Sequence, residues 1–170
     1  YDPLTALPNR LLLLNRLESV LAQNAHTRRQ GALMFIDVDK LKVLNDSLGH
    51  HIGDLLLQQV ASRLSRCVRK TDTVARLGGD EFVVMLEDLG DDPDAAAVHT
   101  RVVADKVLRY LRQPFDLACH SHYTTSSMGV TALNAKQDSV SEVLKQADLA
   151  VYQAKTQGRK AVCFFDPDMQ

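Results

Sequence analysis

Ala32-Leu33-Met34-Phe35-Ile36-Asp37-Val38-Asp39-Lys40 carries five apolar residues in succession straight into two acids one residue apart. A continuous apolar run of this kind reads as a central strand covered on both faces, and the polar stretch Asn24 to Gln30, closed by Gly31, marks where it starts. Downstream, Thr73-Val74-Ala75-Arg76 and Phe82-Val83-Val84-Met85-Leu86 flank Gly78-Gly79-Asp80-Glu81. That pattern predicts a hairpin whose glycines supply the turn geometry. If the hairpin is a neighbour of the central strand, its acids converge with Asp37.

The remaining elements follow by periodicity. Asn9 fits as the N-cap of a helix from about Arg10 to Gln23, with Leu13, Leu17, Val20 and Leu21 inward. Leu41, Leu44 and Leu48 begin a helical pattern broken at Gly49 and Gly53, and a second helix runs from about Asp54, burying Leu56, Leu57, Val60, Ala61 and Leu64. After an acidic loop from Glu87 to Asp94, Val98, Val102, Val103, Val107, Leu108 and Leu111 make a long amphipathic helix that Pro114 stops. Phe115 to Ala118 and Tyr123 to Thr131 read as paired strands. Val140 to Gln157 reads as a helix capped by Gly158, and Ala161 to Phe165 as a last short strand. Helices and hairpins in this order predict an α+β fold, a sheet covered by helices, and not a doubly wound parallel fold.

Composition sets limits. At 170 residues, with 45% hydrophobic and 24% charged residues, the chain suits one domain with a real core. Lys and Arg number 20 against 21 Asp and Glu, so no general field draws nucleic acid or an anionic membrane, and any polyanion must be held locally. No apolar stretch approaches the roughly 18 residues of a membrane span. Cys67, Cys119 and Cys163 are widely spaced and odd in number, as in a reducing, cytoplasmic setting.

Clustered carboxylates such as Asp37, Asp39, Asp80 and Glu81 are what a hard cation like Mg²⁺ needs, and a nucleoside triphosphate is its usual companion. Metal ions lower the pKa of an attacking hydroxyl and neutralise charge on phosphate. Asp39 reads equally as the cap of the next helix and Asp80 as a turn residue. Asp37 fits neither role, because an acid abutting an apolar strand is costly unless paired or bound. Asn45 and Asp54 offer an amide and a carboxylate, which can pair with the carbonyl and the N–H edge of guanine; taken singly they read as a turn former and an N-cap. Lys42 suits a phosphate contact or a solvated helix face.

Gly78-Gly79-Asp80-Glu81-Phe82 resembles the signature of the GGDEF domains, the diguanylate cyclases. The resemblance covers nearly the whole chain. Asp2-Pro3-Leu4-Thr5-Ala6-Leu7-Pro8-Asn9-Arg10 resembles the family's opening motif, Asp37 through Asp54 its metal and guanine segment, and Ala147 to Lys155 with Gly158-Arg159 its closing motif. The resemblance implies a mostly antiparallel sheet of about five strands with a nucleotide-cyclase, polymerase-palm-like (ferredoxin-like) core over residues 1–165, and a linker beginning at 166–170. It implies condensation of two GTP into cyclic di-GMP and two pyrophosphates, each 3′-hydroxyl attacking the other nucleotide's α-phosphate across a homodimer of domains.

Carried over by position, Asp37, the Val38 carbonyl and Asp80 would hold Mg²⁺ or Mn²⁺. Glu81 would activate the hydroxyl or complete the metal site. Asn45 and Asp54 would read guanine, His50 would support the pocket, and Lys42, Lys155 and Arg159 would hold phosphates, with the backbone N–H groups of Lys40 and Leu41 meeting the triphosphate. Arg69-Lys70-Thr71-Asp72 resembles the family's inhibitory motif, where Arg and Asp bind the cyclic product; the plain alternative is a surface ion pair. Ala6, Leu41 and Lys160 stand where the family usually has Gly, Phe and Asn, and none of them is an expected metal ligand or base reader.

Two further expectations concern context. Tyr1 in place of an initiating Met, and the ending Phe164-Phe165-Asp166-Pro167-Asp168-Met169-Gln170, which resembles the link to a following EAL phosphodiesterase domain, suggest a piece of a larger signalling protein with sensor and EAL domains, membrane anchored or not. In that setting the alternative function is a regulatory module that binds GTP or cyclic di-GMP without synthesis. Cys119-His120-Ser121-His122 reads as a polar hairpin loop and not a soft-metal site, since a fourth ligand is missing. Cys67 and Cys163 read as buried small hydrophobes.

Overall fold

The computed structural model describes residues 1–134, 139–156 and 161–166. The elements are α1 (Arg10–Thr27), β1 (Gly31–Val38), α2 (Leu41–Leu48), α3 (His50–Arg66), β2 (Thr73–Gly78), β3 (Glu81–Leu86), α4 (Pro93–Arg112), β4 (Phe115–Leu117), β5 (His120–His122), β6 (Ser126–Leu133), α5 (Val140–Thr156) and β7 (Val162–Phe164). The main sheet has the order β2-β3-β1-β6-β7, antiparallel except for the parallel β6–β7 pair. β1 is central, as its unbroken apolar run requires.

Two-residue alternation along the strands divides the core between the two faces of the sheet. Met34, Ile36, Val38, Phe82, Val84 and Leu86 pack with Leu56, Val60, Leu64, Val107 and Leu111 of α3 and α4. Leu33, Phe35, Val83 and Met85 pack with Leu13 and Leu17 of α1 and Val143 and Ala147 of α5. α1 starts as expected, Asn9 accepting from the Leu12 N–H at 3.0 Å, but it runs on to Thr27 and is closed by Arg28 in a left-handed conformation. Gly158, expected to cap α5, lies outside the described residues.

Two expectations are corrected. Phe115 to Ala118 does not pair with Tyr123 to Thr131; β4 pairs with β5 in a separate two-stranded sheet, and β6 joins the main sheet between β1 and β7. Ala118 and Cys119 both take positive φ (50° and 73°), a primed two-residue turn that reverses the chain at once. The dipeptide Ala-Cys gives no sign of it. Cys119-His120-Ser121-His122 is therefore largely a strand. Second, Gly53 does not break a helix, and Asp54 is not an N-cap: α3 begins at His50 and contains both.

The opening segment is a strap. Asp2 N–H donates to the Leu7 carbonyl and Ala6 N–H to the Asp2 carbonyl, 2.7 and 2.8 Å, with Ala6 held at φ 62°. This is the position where the family usually has Gly. An L side chain there is strained by about 1–2 kcal/mol, so Ala6→Gly is expected to raise the urea midpoint. Gly129 on β6 behaves in the opposite sense. A Cβ at that position would stand 2.4 Å from Val151 N and 2.6 Å from Ala147 O, backbone atoms of α5 that cannot step aside singly. Gly129→Ala should force α5 off the sheet and cost about 1–3 kcal/mol by urea unfolding.

Candidate active site

The edge where β1 and β3 meet gathers the acids. Asp37 pairs in register with Glu81, and Val38 N–H donates to the Asp80 carbonyl at 3.0 Å. Gly78 (φ 142°) and Gly79 (φ 50°) shape the turn, and both have open space where a Cβ would be, so backbone conformation and not crowding calls for glycine. Arg76 fixes the tip: its guanidinium donates to the Gly79 carbonyl at 2.9 Å and to both carboxylate oxygens of Asp2, at 3.1 and 3.2 Å. Thr5 also donates to Asp2, from N–H and hydroxyl. Although burial raises the Asp2 carboxyl, these hydrogen bonds win and hold it below the usual range. The strap thereby anchors the turn that carries Asp80.

Lys155, in the last turn of α5, reaches Asp37 in a close ion pair. The hydrogen bond to Asp37 holds its ammonium above the ordinary lysine value, with the charges of Asp37, Asp39 and Asp80 adding to it. Burial, then the charge of Asp37, pushes Asp80 up. Partial loss of water, then Asp37, Asp148 and Asp80, pushes up Glu81, with Arg10 opposing. Among the described residues no group of three or more His, Cys, Asp or Glu side chains is placed to hold a metal by itself. Two crowded carboxylates at the strand end nonetheless fit Mg²⁺, which is commonly held by one or two carboxylates with phosphate and water completing its shell. The ammonium of Lys155 beside Asp37 shows that a positive charge is favourable there.

Asp39 stands apart. Its carboxylate accepts from the Thr125 hydroxyl at 2.7 Å, its N–H donates to the Thr125 carbonyl and its carbonyl accepts from Thr124, so it pins the start of β6 and does not cap a helix. Lys40 occupies the N-cap of α2 with φ 64°, a costly conformation for a side-chain-bearing residue; Leu41 is buried and Lys42 exposed. Asn45 lies on α2 with its Oδ1 buried and without a hydrogen-bond partner, against Gly53 on α3. His50 and Asp54 are exposed on α3, Asp54 directly following Gly53. Arg159 lies outside the described residues.

Arg69 and Asp72 form neither an open site nor an ordinary surface pair. The Asp72 side chain is only 3% exposed and accepts from Arg69 and from the Glu87 N–H, while Arg69, at 49%, also donates to the Glu87 carbonyl at 2.6 Å. Two contributors escaped sequence reasoning. Asp148 stands seven residues before Lys155 on α5, two turns along the same face, a spacing that could have signalled it. Arg76 joins Asp2 across 74 positions, which no local pattern announces. All three cysteines are free, Cys67 buried as expected, Cys163 half-buried and Cys119 exposed. Among the described residues no helix is long and apolar enough to cross a membrane.

A five-stranded sheet flanked by helices, with acids at the end of its central strand, defines an α+β domain with an acidic strand-end site. The family model described as "Diguanylate cyclase, GGDEF domain" matches residues 1–161, and the chain belongs to this GGDEF family. It is 41% identical over 169 residues to the bifunctional diguanylate cyclase/cyclic di-GMP phosphodiesterase MucR of Pseudomonas aeruginosa, covering 99% of this chain and 24% of MucR. The GGDEF-only structure of TpbB (YfiN) from the same organism superposes with a TM-score of 0.92 at 35% identity, covering 99% of this chain and 96% of that one. The GGDEF domain of DgcB from Caulobacter crescentus, solved with c-di-GMP, gives a TM-score of 0.85 at 26% identity, covering 96% and 94%. The chain thus spans about a quarter of MucR's length.

Because its pKa is raised in the fold, the ionised Asp80 opposes folding at neutral pH. Asp80→Asn should therefore raise the melting temperature in metal-free buffer at pH 7. The gain should fade as pH falls from the raised native range through the ordinary aspartate value, below which the wild-type carboxyl is protonated both folded and unfolded. Melting curves from pH 3 to 8 check this.

Proposed function

We propose that this domain is a diguanylate cyclase, each domain holding one GTP and two domains meeting face to face to make cyclic di-GMP and two pyrophosphates. The observation that carries this reading is the Asp37 and Asp80 carboxylate pair at the β1–β3 edge with the Lys155 ammonium against it. Asp37, the Val38 carbonyl and Asp80 are the residues that would hold Mg²⁺ or Mn²⁺. When bound, such a cation neutralises charge developing on phosphate and acidifies a nearby hydroxyl.

The chain's own groups do the rest. The backbone N–H groups of Lys40 and Leu41, at the start of α2, meet the triphosphate, with Lys42, Lys155 and Arg159 as cationic contacts. Asn45 and Asp54 read the guanine edge, and His50 borders them. Glu81, its carboxyl pushed above the usual range, is suited to take the proton of the attacking 3′-hydroxyl or to complete the metal site. The new bond joins that oxygen to the partner nucleotide's α-phosphorus, and the bond to pyrophosphate breaks. A two-fold partner is needed because each nucleotide's hydroxyl must reach the phosphate held by the other domain.

Feedback by the cyclic product at Arg69 and Asp72 belongs to the same reading. The half-exposed Arg69 guanidinium can take a guanine edge or a phosphate bidentately. Asp72 joins it only after leaving the Glu87 N–H, so the product would open a closed pair.

The test uses protein forced to dimerise through a fused coiled coil, with Mg²⁺ and GTP, and chromatography for cyclic di-GMP. Product is expected. Chelation of the metal, Asp80→Ala or Glu81→Ala should each abolish it; Asn45→Ala should raise KM for GTP; Arg69→Ala should relieve inhibition by added product. Tight binding of GTP or cyclic di-GMP with no turnover would assign the domain instead to control of an attached phosphodiesterase, an architecture that MucR's bifunctional description brings into view.

A further inference from the structure

Glycine is a poor choice inside a helix, yet Gly53 closes the first turn of α3 and is buried. The reason lies on α2. A Cβ built at position 53 would stand 1.7 Å from Asn45 Oδ1 and 2.8 Å from its Cγ. No rearrangement of a few tenths of an ångström relieves that overlap; either Asn45 swings away or the two helices separate. The same Oδ1 is buried with no hydrogen-bond partner, an expensive arrangement for an amide oxygen. Nδ2 is the far end of the group, 3.4 Å from the same built Cβ. The carboxamide thus packs beside the bare Gly53 backbone with its oxygen nearest and its nitrogen farther off.

We propose that Gly53 is a positioning residue for base selection: its missing side chain lets the Asn45 carboxamide lie flat on α3, presenting the Nδ2 donor to the keto oxygen at C6 of a purine. Asp54, the next residue in the chain, supplies the acceptor for the adjacent N–H groups. The proposal rests on the guanine reading of Asn45 and Asp54 made above and adds to it the device that fixes the amide. It also explains why α3 tolerates a glycine one turn after its start: the room gained for Asn45 replaces the helix-forming tendency that alanine would bring.

The test is a double-mutant cycle on the intact domain: wild type, Gly53→Ala, Asn45→Ala and the double variant, each titrated with GTP and with 2-aminopurine riboside triphosphate, which lacks the C6 oxygen and the N1 proton; the Asp54 share of the preference is common to all four proteins and cancels. Ca²⁺ replaces Mg²⁺ so that binding is read without turnover. Gly53→Ala should reduce the preference for GTP over the analogue about tenfold, as Asn45→Ala does, and the double variant should be no worse than Asn45→Ala alone. Melting temperatures supply a second, nucleotide-free readout. Gly53→Ala should raise the melting temperature less when Asn45 is present than when position 45 is alanine, because only in the first background must the carboxamide be displaced to admit the methyl group.

If Gly53→Ala keeps the wild-type preference while Asn45→Ala loses it, or if the melting shift is the same size in both backgrounds, Gly53 does not position Asn45 and the proposal falls. If Asn45→Ala itself binds GTP and the analogue as wild type does, the guanine reading fails first.

Discussion

A carboxylate at the end of a strand buried on both faces cannot be left to itself, and Asp37 is in that position. The residues before it belong to the core on either side of the sheet. The β1–β3 register then places Glu81 opposite it and Asp80 beside it, concentrating negative charge where solvation is already reduced. The fold answers with Lys155 from α5 and leaves Asp80 and Glu81 with raised pKa values. The cation and triphosphate site proposed for this edge rests on that crowding.

The turn bearing Asp80 needs support from outside the sheet, because its two glycines fix a shape but not a position. Arg76 supplies it, bridging the Gly79 carbonyl to Asp2, both charged side chains 15% exposed or less. An ion pair so enclosed needs all its hydrogen bonds satisfied, and Thr5 provides the remainder. The N-terminal strap therefore supports the acidic edge, and the left-handed Ala6 is strain taken on to close it. On the other side of β1, Asp39 with Thr124 and Thr125, just before β6, holds the β1–α2 turn in the conformation that puts Lys40 at positive φ.

Long, strongly periodic elements could be read from the residues. β1, β3, α4 and α5 lie close to where their apolar spacing puts them, since burial on a fixed face is a local property of the pattern. Glycine was the less reliable sign. At Gly78 and Gly79 it marks a turn, as expected; at Gly53 it is a space for Asn45 inside a helix, a purpose visible only once α2 lies on α3. The β4–β5 hairpin was missed for the converse reason, because Ala118 and Cys119 adopt positive φ without any of the residues that usually advertise it.

The near-equal count of basic and acidic residues excluded a general polyanion binder and required local recognition. By itself the sequence determined the sheet-and-helix class, the central strand and, through five ordered motifs, the family and its candidate residues, because these depend on residue type and spacing along the chain. Only the tertiary structure decided that Lys155 pairs with Asp37, that Arg76 ties the turn to Asp2, that Asp72 is sealed and that Gly53 makes room for Asn45. Each of these is a contact between elements distant in the chain or a burial created by packing, and no one-dimensional pattern specifies either.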